Sequence, residues 1–525
     1  MHGMVNEPAH KLQPALFMSE AAPKNEPIWT SVPAPKFSKL ADDASVDVAI
    51  VGAGIAGVTT AYLLAREGRS VLLLDDGPVG GGMSSVTTAH IANALDDRYL
   101  RVEKLRGEDG ARRTAQSHTA AIDRIERNVA DEGLDCDLVR LDGYLFPLPG
   151  EDPDLLRQER DCARRAGLDV EIVPRAPLPF DSGPSIRFPR QGQFHPLKYL
   201  YGLAGAIVRA GGRIASGAHA DTVEDGAPAR VRVGSHTVSA RAVVVATNVP
   251  INDRFAIHTK QAPYMTYVIG AVVPRGSVER ALYWDTGDPY HYVRLQPMPD
   301  EADKDCLIVG GEDHKSGHAD DGRERHARLE AWARERFPMV ERIAFTWAGQ
   351  VMETLDGLAY IGKNPGDENV YVVTGDSGMG MTHGTIAGML LTDLIQGRDN
   401  PWRELYDPSR KIVGAAGEWV KENLDVAAQF AGYAMPAASA GEVPWDSGKV
   451  IQRGLSKVAA YRDEKGELHE MTAVCPHLGC IVQWNGSEKT WDCPCHGSRF
   501  DKMGKVVNGP ANTDLSPIRE EASKR

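Results

Sequence analysis

Near the C-terminal end of this chain, CPHLGC (Cys475–Cys480) and CPCHGS (Cys493–Ser498) hold four of the seven cysteines. The pattern is Cys475-x-His477, fifteen residues, then Cys493-x-x-His496. Zinc ribbons pair like ligands, commonly Cys-x-x-Cys twice. Here each loop offers one thiolate and one imidazole. That set suits a two-iron cluster with one iron on two cysteines and the other on two histidines. Zinc is the alternative, disfavoured because the full two-box spacing is more specific than any single pair. Cys136, Cys162 and Cys306 are scattered, and each is expected to be a small buried hydrophobe.

A second chemistry stands at the other end. The β-branched run VDVAIV (Val46–Val51) leads into Gly52-Ala53-Gly54-Ile55-Ala56-Gly57 and a helical stretch, and a second apolar run ends at Asp75. Gly52 permits a tight turn, Gly54 lets backbone approach a pyrophosphate, and Gly57 lets helix pack on strand. The helix N-terminus then faces the diphosphate, and Asp75 can accept from ribose hydroxyls. No second glycine fingerprint follows in mid-chain, where a nicotinamide site would need one. A strand, glycine-rich turn and helix do recur late, at Val370–Gly397, and that turn could face a flavin ring.

These motifs need a scaffold. With 525 residues, two or three domains are expected. A composition of 42% hydrophobic and 25% charged residues is that of a globular protein, and a net charge of −13 argues against nucleic acid. No run is long and apolar enough for a membrane span, and no signal segment is visible, so a cytoplasmic protein is expected. Residues 1–43 read as a polar surface extension. Residues 406–442 read as a helical linker, with Val420, Leu424, Ala427 and Ala431 at helical spacing. Short alternating runs beyond 443 read as a compact all-β domain.

Residues 45 to about 400 resemble the flavoprotein family of D-amino-acid oxidase, glycine oxidase and sarcosine oxidase. The matching segments are AIVGAGIAGVTTAYLLAREGRSVLLLDD, FHPLKYLYGLAGAIVRAGGRI, VVVATN, TWAGQVMETLDGLAYIG and GDSGMGMTHG. Residues 443–525 resemble Rieske [2Fe-2S] domains, including NGPA (Asn508–Ala511) after the second loop. The resemblance implies an α/β Rossmann-like FAD-binding domain interleaved with an antiparallel-sheet substrate domain (α+β), plus a small all-β Rieske domain. FAD-binding segments fall at about 44–95, 190–250 and 346–400, and substrate-domain segments at about 96–189 and 251–345, within a unit of 44–405. FAD is expected on Gly52, Gly54, Gly57, Asp75, backbone near Val223, and Gly378, Met379, Gly380, Met381 and Thr382. The cluster is expected on Cys475, His477, Cys493 and His496, with Cys480 and Cys495 as a disulfide. Some relatives attach FAD through a histidine near His90, but the longer loop here favours noncovalent FAD.

Two departures refine the expectation. Amino-acid-oxidising relatives carry a carboxylate-clamping arginine where this chain has Val351, and no arginine occurs from Ala344 to Gly362. Arg294, His291 and Tyr290, in YWDTGDPYHYVR, are the candidates for a substrate pocket, and an aromatic pocket suits an amine. Glu312, His314 and His318 could suggest a metal site, but the histidine spacing matches no ligand pattern and none is expected there. In the cluster loops Ser498 is present, while Phe500 stands where high-potential Rieske proteins carry tyrosine, predicting a potential below the top of the range. The expected function is oxidation of an amine or N-substituted amino acid at FAD. Electrons would leave through the cluster to an external one-electron carrier or oxygen. The alternatives are electron flow in reverse, or a non-catalytic redox carrier or sensor.

Overall fold

The computed structural model describes residues 23–148, 150–252, 257–411, 413–433 and 437–518. Residues 1–22 of the expected extension and 519–525 of the expected C-terminal domain lie outside the described residues.

The apolar runs Ala44–Val51 and Val71–Asp75 pair in parallel, Val48 opposite Val71 and Val51 opposite Leu74. They sit in a sheet ordered Tyr360–Lys363, Val370–Thr374, His236–Val245, Ala44–Val51, Val71–Asp75, Arg213–Ser216. All pairs on this path are parallel except the first. Helix Ile55–Arg66, buried along most of its length, packs between helices Pro196–Arg209 and Gly380–Ile395, which explains its near-continuous apolar sequence. Parallel strands bring their C-terminal ends to one edge. The turns after Val51, Asp75, Val245 and Thr374 therefore emerge together, and that edge carries the site.

A larger sheet covers it, ordered Arg342–Thr354, Gln261–Pro274, Lys304–Lys315, His291–Pro297, Leu282–Asp285, Val139–Phe146, Ser185–Gln193, His90–Ile91. Its pairs are antiparallel except Leu282–Asp285 with Val139–Phe146. One face packs on helix Gly322–Arg336 through Leu329 and Trp332. Strand Arg342–Thr354 and the His90–Ile91 pair belong to this sheet, although the sequence places much of both in the FAD-binding segments. Strand Arg342–Thr354 runs through its boundary without a turn, and His90–Ile91 joins the sheet by pairing antiparallel with Gly192 and Gln193.

The extension does more than lie on the surface. Trp29 is wholly buried, donates from Nε1 to Thr87 O at 2.7 Å and meets the His195 ring edge-on at 5.1 Å. Lys24 exchanges two backbone hydrogen bonds with Ala344 and Thr346. An indole bearing one donor repays burial when that donor is satisfied.

After helix Ala416–Gln429 come two small antiparallel sheets, Ser447–Arg453, Ser456–Arg462, Leu468–Thr472 and then Gln483–Asn485, Thr490–Asp492, Arg499–Asp501, Val506–Asn508. Within the 406–442 segment helix Ala416–Gln429 turns Val420 and Leu424 outward, 47% and 64% exposed. Among the described residues no helix is long and apolar enough to cross a membrane.

Candidate functional site

At the strand edge, Gly52 has φ +104°, and a Cβ there would stand 2.3 Å from Ala246 O. A Cβ on Gly57 would stand 1.8 Å from Gly52 O. Neither position tolerates a side chain without moving the turn away from its helix. Asp75 accepts from Ala53 N at 2.5 Å and Gly77 N at 2.7 Å, so its carboxylate is held across the mouth of the fingerprint turn. Burial raises its pKa against those two bonds. Gly54, Asp75, Gly378, Met379, Gly380 and Met381 line one cavity of about 420 Å³. Backbone laid bare by glycines, a helix N-terminus and an oriented carboxylate are the features a dinucleotide needs, so these residues fit FAD. Thr382 stands behind the wall, donating to Met379 O at 3.1 Å with its hydroxyl 3.0 Å from His118 Nδ1. Val223 lies in strand Thr222–Glu224, paired with Val231, and does not line the cavity; Ala218, His219 and Ala220 do. The chain turns toward the cleft before that strand begins.

Further along, the larger sheet contributes Thr266, Trp284, Tyr290, Tyr292, Gln350 and Val351. Tyr292 and Thr266 hydroxyls lie 3.0 Å apart, and Tyr290 donates to Asp96 Oδ2 at 3.4 Å. Asp96 and Asp376 face the same space. Burial, then repulsion from Asp97 and Asp313, pushes Asp96 up to about 7. Burial raises Asp376 to about 6 and Glu353 well above the carboxylate range, where Asp97, Asp96 and Asp376 add repulsion. His90 also lines the cavity, held neutral because burial and then Arg294 push it down to about 3. Val351 leaves the clamp position apolar, as the sequence indicates.

Of the three pocket candidates, Tyr290 lines the cavity while His291 and Arg294 do not. Strand alternation turns His291 to the opposite face, against Asp285 Oδ2 at 2.9 Å and stacked on Trp332 at 4.5 Å. Arg294 is wholly buried beneath the His90 loop. It donates to Thr88 O and Ala89 O at 3.0 Å, to Phe194 O at 3.2 Å and to Gln296 Oε1 at 2.5 Å. Its guanidinium supports the loop. Glu312 and His318 also part company, the first accepting from Arg328 at 2.7 Å and the second 3.6 Å from Asp425.

In the C-terminal domain, Cys475 N donates to Cys480 O and Cys493 N to Ser498 O, both at 2.8 Å, closing two loops that point the same way. Cys475 and Cys493 are free, buried thiols in mutual hydrogen-bond contact, and Cys480–Cys495 form a disulfide between the loops. The His477 and His496 rings stand at right angles, centroids 5.0 Å apart. Two thiols and two imidazoles converging from two loops fit a [2Fe-2S] cluster with mixed ligands. The Ser498 hydroxyl reaches Cys475 and accepts from Ala511 N at 3.0 Å.

No motif marks His258 along the chain. It is buried, comes from the turn His258–Lys260 of the flavin domain, and lies 4.9 Å from the His477 ring and 5.9 Å from that of His496. Gln350 lies in the TWAGQVMETLDGLAYIG segment, which shows nothing of its partners. It donates to Ser316 Oγ at 3.0 Å and accepts from Asn508 Nδ2 at 2.7 Å, joining cavity wall to C-terminal domain.

Residues 47–394 match the model of the FAD dependent oxidoreductase family and residues 434–519 that of the Rieske [2Fe-2S] domain. The chain belongs to the FAD dependent oxidoreductase family and carries a C-terminal Rieske domain. It is 30% identical over 499 residues to the Bacillus subtilis protein YhfW, named as a Rieske 2Fe-2S iron-sulfur protein, covering 94% of this chain and 97% of that one. It is 26% identical to gamma-glutamylputrescine oxidoreductase of Escherichia coli over 69% of this chain and 86% of the relative. The fold is also that of glycine oxidase from Geobacillus kaustophilus, with TM-score 0.58 and 19% identity, covering 70% of this chain and all of the other (100%). The chain is thus an FAD-dependent oxidoreductase with FAD and [2Fe-2S] cofactors.

Proposed function

We propose that this protein oxidises the C–N bond of an amine or N-substituted amino acid at FAD and sends the electrons through the Rieske cluster to an external one-electron carrier or oxygen. The observation that carries this reading is the shared cavity, walled by both domains, with the cluster-ligand histidines packed against His258 of the flavin domain. FAD held at the Gly52–Gly57 turn, Asp75 and the Gly378–Met381 turn would supply two-electron hydride acceptance from a C–H beside nitrogen, and a cluster on Cys475, His477, Cys493 and His496 would supply single-electron transfer. The residues of the chain orient the substrate and exclude water. Trp284, Tyr290 and Tyr292 form aromatic walls for a carbon skeleton, while Asp96 and Asp376 present acceptors to a cationic nitrogen. Among the described residues no arginine or lysine lines the cavity, which favours an amine over a free α-amino acid. The likeness to gamma-glutamylputrescine oxidoreductase supports the same choice.

The test is an anaerobic titration of cluster-loaded protein with a panel of amines and amino acids. Flavin absorbance and the cluster's reduced-state EPR signal are followed together. Flavin bleaching followed by the cluster signal, with an amine, supports the outward path. If every compound leaves both centres oxidised while a chemical donor reduces cluster and then flavin, the path runs inward and the proposal fails.

A further inference from the structure

The cavity described above has a wall that no glycine fingerprint accounts for. Val506, Asn508, Gly509, Ala511 and Asn512, all from the C-terminal domain, line the same space as Gly54 and Asp75. This segment is fastened at both ends. At one end Asn508 Nδ2 donates to Gln350 Oε1 at 2.7 Å. At the other, Asn512 Nδ2 donates to Ala220 O at 2.7 Å and Asp221 O at 3.0 Å, and Asn512 O lies 3.2 Å from His219 Nε2. His219 Nδ1 in turn lies 3.4 Å from Asp76 Oδ2, one residue past the ribose-binding position. Between these anchors a Cβ on Gly509 would come within 3.4 Å of Val249 O, so the segment runs close against the flavin-domain backbone. Ala511 N donates to Ser498 Oγ, which ties the same segment to a cluster-binding loop.

We propose that the segment 506–512 of the Rieske domain completes the FAD site, and that Asn512 with His219 latches it closed over the adenosine end. In a flavin domain alone, the carboxyl edge of the sheet would open to solvent beside Asp75, and the dinucleotide could leave there. With the latch in place, release requires breaking the Asn512 contacts, which are made with the two domains docked. A wall that forms only in the docked state raises affinity by slowing dissociation. Asn512 is thus a positioning residue, acting on FAD through the wall it holds. The inference rests on the FAD site alone and is independent of substrate and of electron direction.

The experiment uses the full chain with its cluster, stripped of flavin and titrated with FAD by flavin fluorescence, alongside hydrogen–deuterium exchange. For Asn512→Ala the expected result is FAD dissociating about tenfold faster and bound about tenfold more weakly, with the cluster EPR signal of wild type. In the wild-type chain, FAD binding should slow exchange in peptides covering 505–513 as well as in those covering Gly52–Gly57. Protection confined to the glycine fingerprint, with 505–513 exchanging equally fast with and without FAD, would overturn the proposal even if the variant failed to fold. FAD affinity within twofold of wild type in a well-folded Asn512→Ala protein would overturn it too.

Discussion

Asp356 opens the DGLAYIG segment, and its side chain is fully buried between two arginines. Arg410 Nη2 donates to Oδ1 at 2.8 Å and Arg410 Nε to Oδ2 at 3.1 Å, while Arg106 Nε donates to Oδ2 at 2.9 Å. Arg410 also donates to Ala359 O at 2.7 Å and lies 3.8 Å over the Tyr360 ring. The pair of guanidiniums outweighs desolvation and holds the carboxylate down at about 2, against an ordinary 3.8. That depression corresponds to about 2.5 kcal/mol favouring the ionised native state. Because the native value is lowered, this stability is complete above the ordinary value near 4 and is lost as pH falls through about 2. Asp356→Asn keeps the shape but removes the charge, leaving Arg410 buried without a counter-ion. The expected cost is about 3–5 kcal/mol. The assay is urea denaturation of wild type and variant, followed by tryptophan fluorescence, at several pH values. The deficit should be constant from pH 5 to 8. A deficit below about 1 kcal/mol, or one that changes across that range, would refute the argument. Since Ala359 lines the cavity, the variant should also hold FAD less tightly.

Arg294→Met strands the Thr88, Ala89 and Phe194 carbonyls, so roughly 1–3 kcal/mol per unpaired group is expected in lost stability; thermal unfolding checks this, and an unchanged midpoint would refute the loop-supporting role of Arg294. Asp96 has a raised carboxyl pKa, so its ionisation costs native stability as pH rises from about 4 through about 7. Asp96→Asn should therefore raise the melting temperature at pH 8 more than at pH 5, measured calorimetrically, while weakening binding of a cationic amine. Cys480→Ser opens a disulfide spanning 15 residues, worth about 3 kcal/mol in the chain-entropy model, and should speed loss of the cluster's visible absorbance under denaturant.

Much of the chemistry can be read along the chain because its ligands are local. The fingerprint turn needs Gly52 and Gly57 a few residues apart, and each cluster loop closes on itself through a backbone bond, so spacing alone declares both sites. The Rossmann strands are legible for the same reason: a buried parallel strand must be apolar throughout. Burial of a neighbour decides what spacing cannot. Tyr290, His291 and Arg294 look alike in sequence, yet one faces the cavity, one stacks on a helix and one props a loop, since strand direction and the layer above select among them. Trp29 looks like part of a surface arm until Thr87 and His195 enclose it. Asn512, His219 and His258 carry no motif, and Asn508 and Gln350, though each sits in a family segment, show nothing of their partners along the chain. Their roles arise where the Rieske domain meets the flavin domain, across separations of more than a hundred residues, and only tertiary packing makes those contacts.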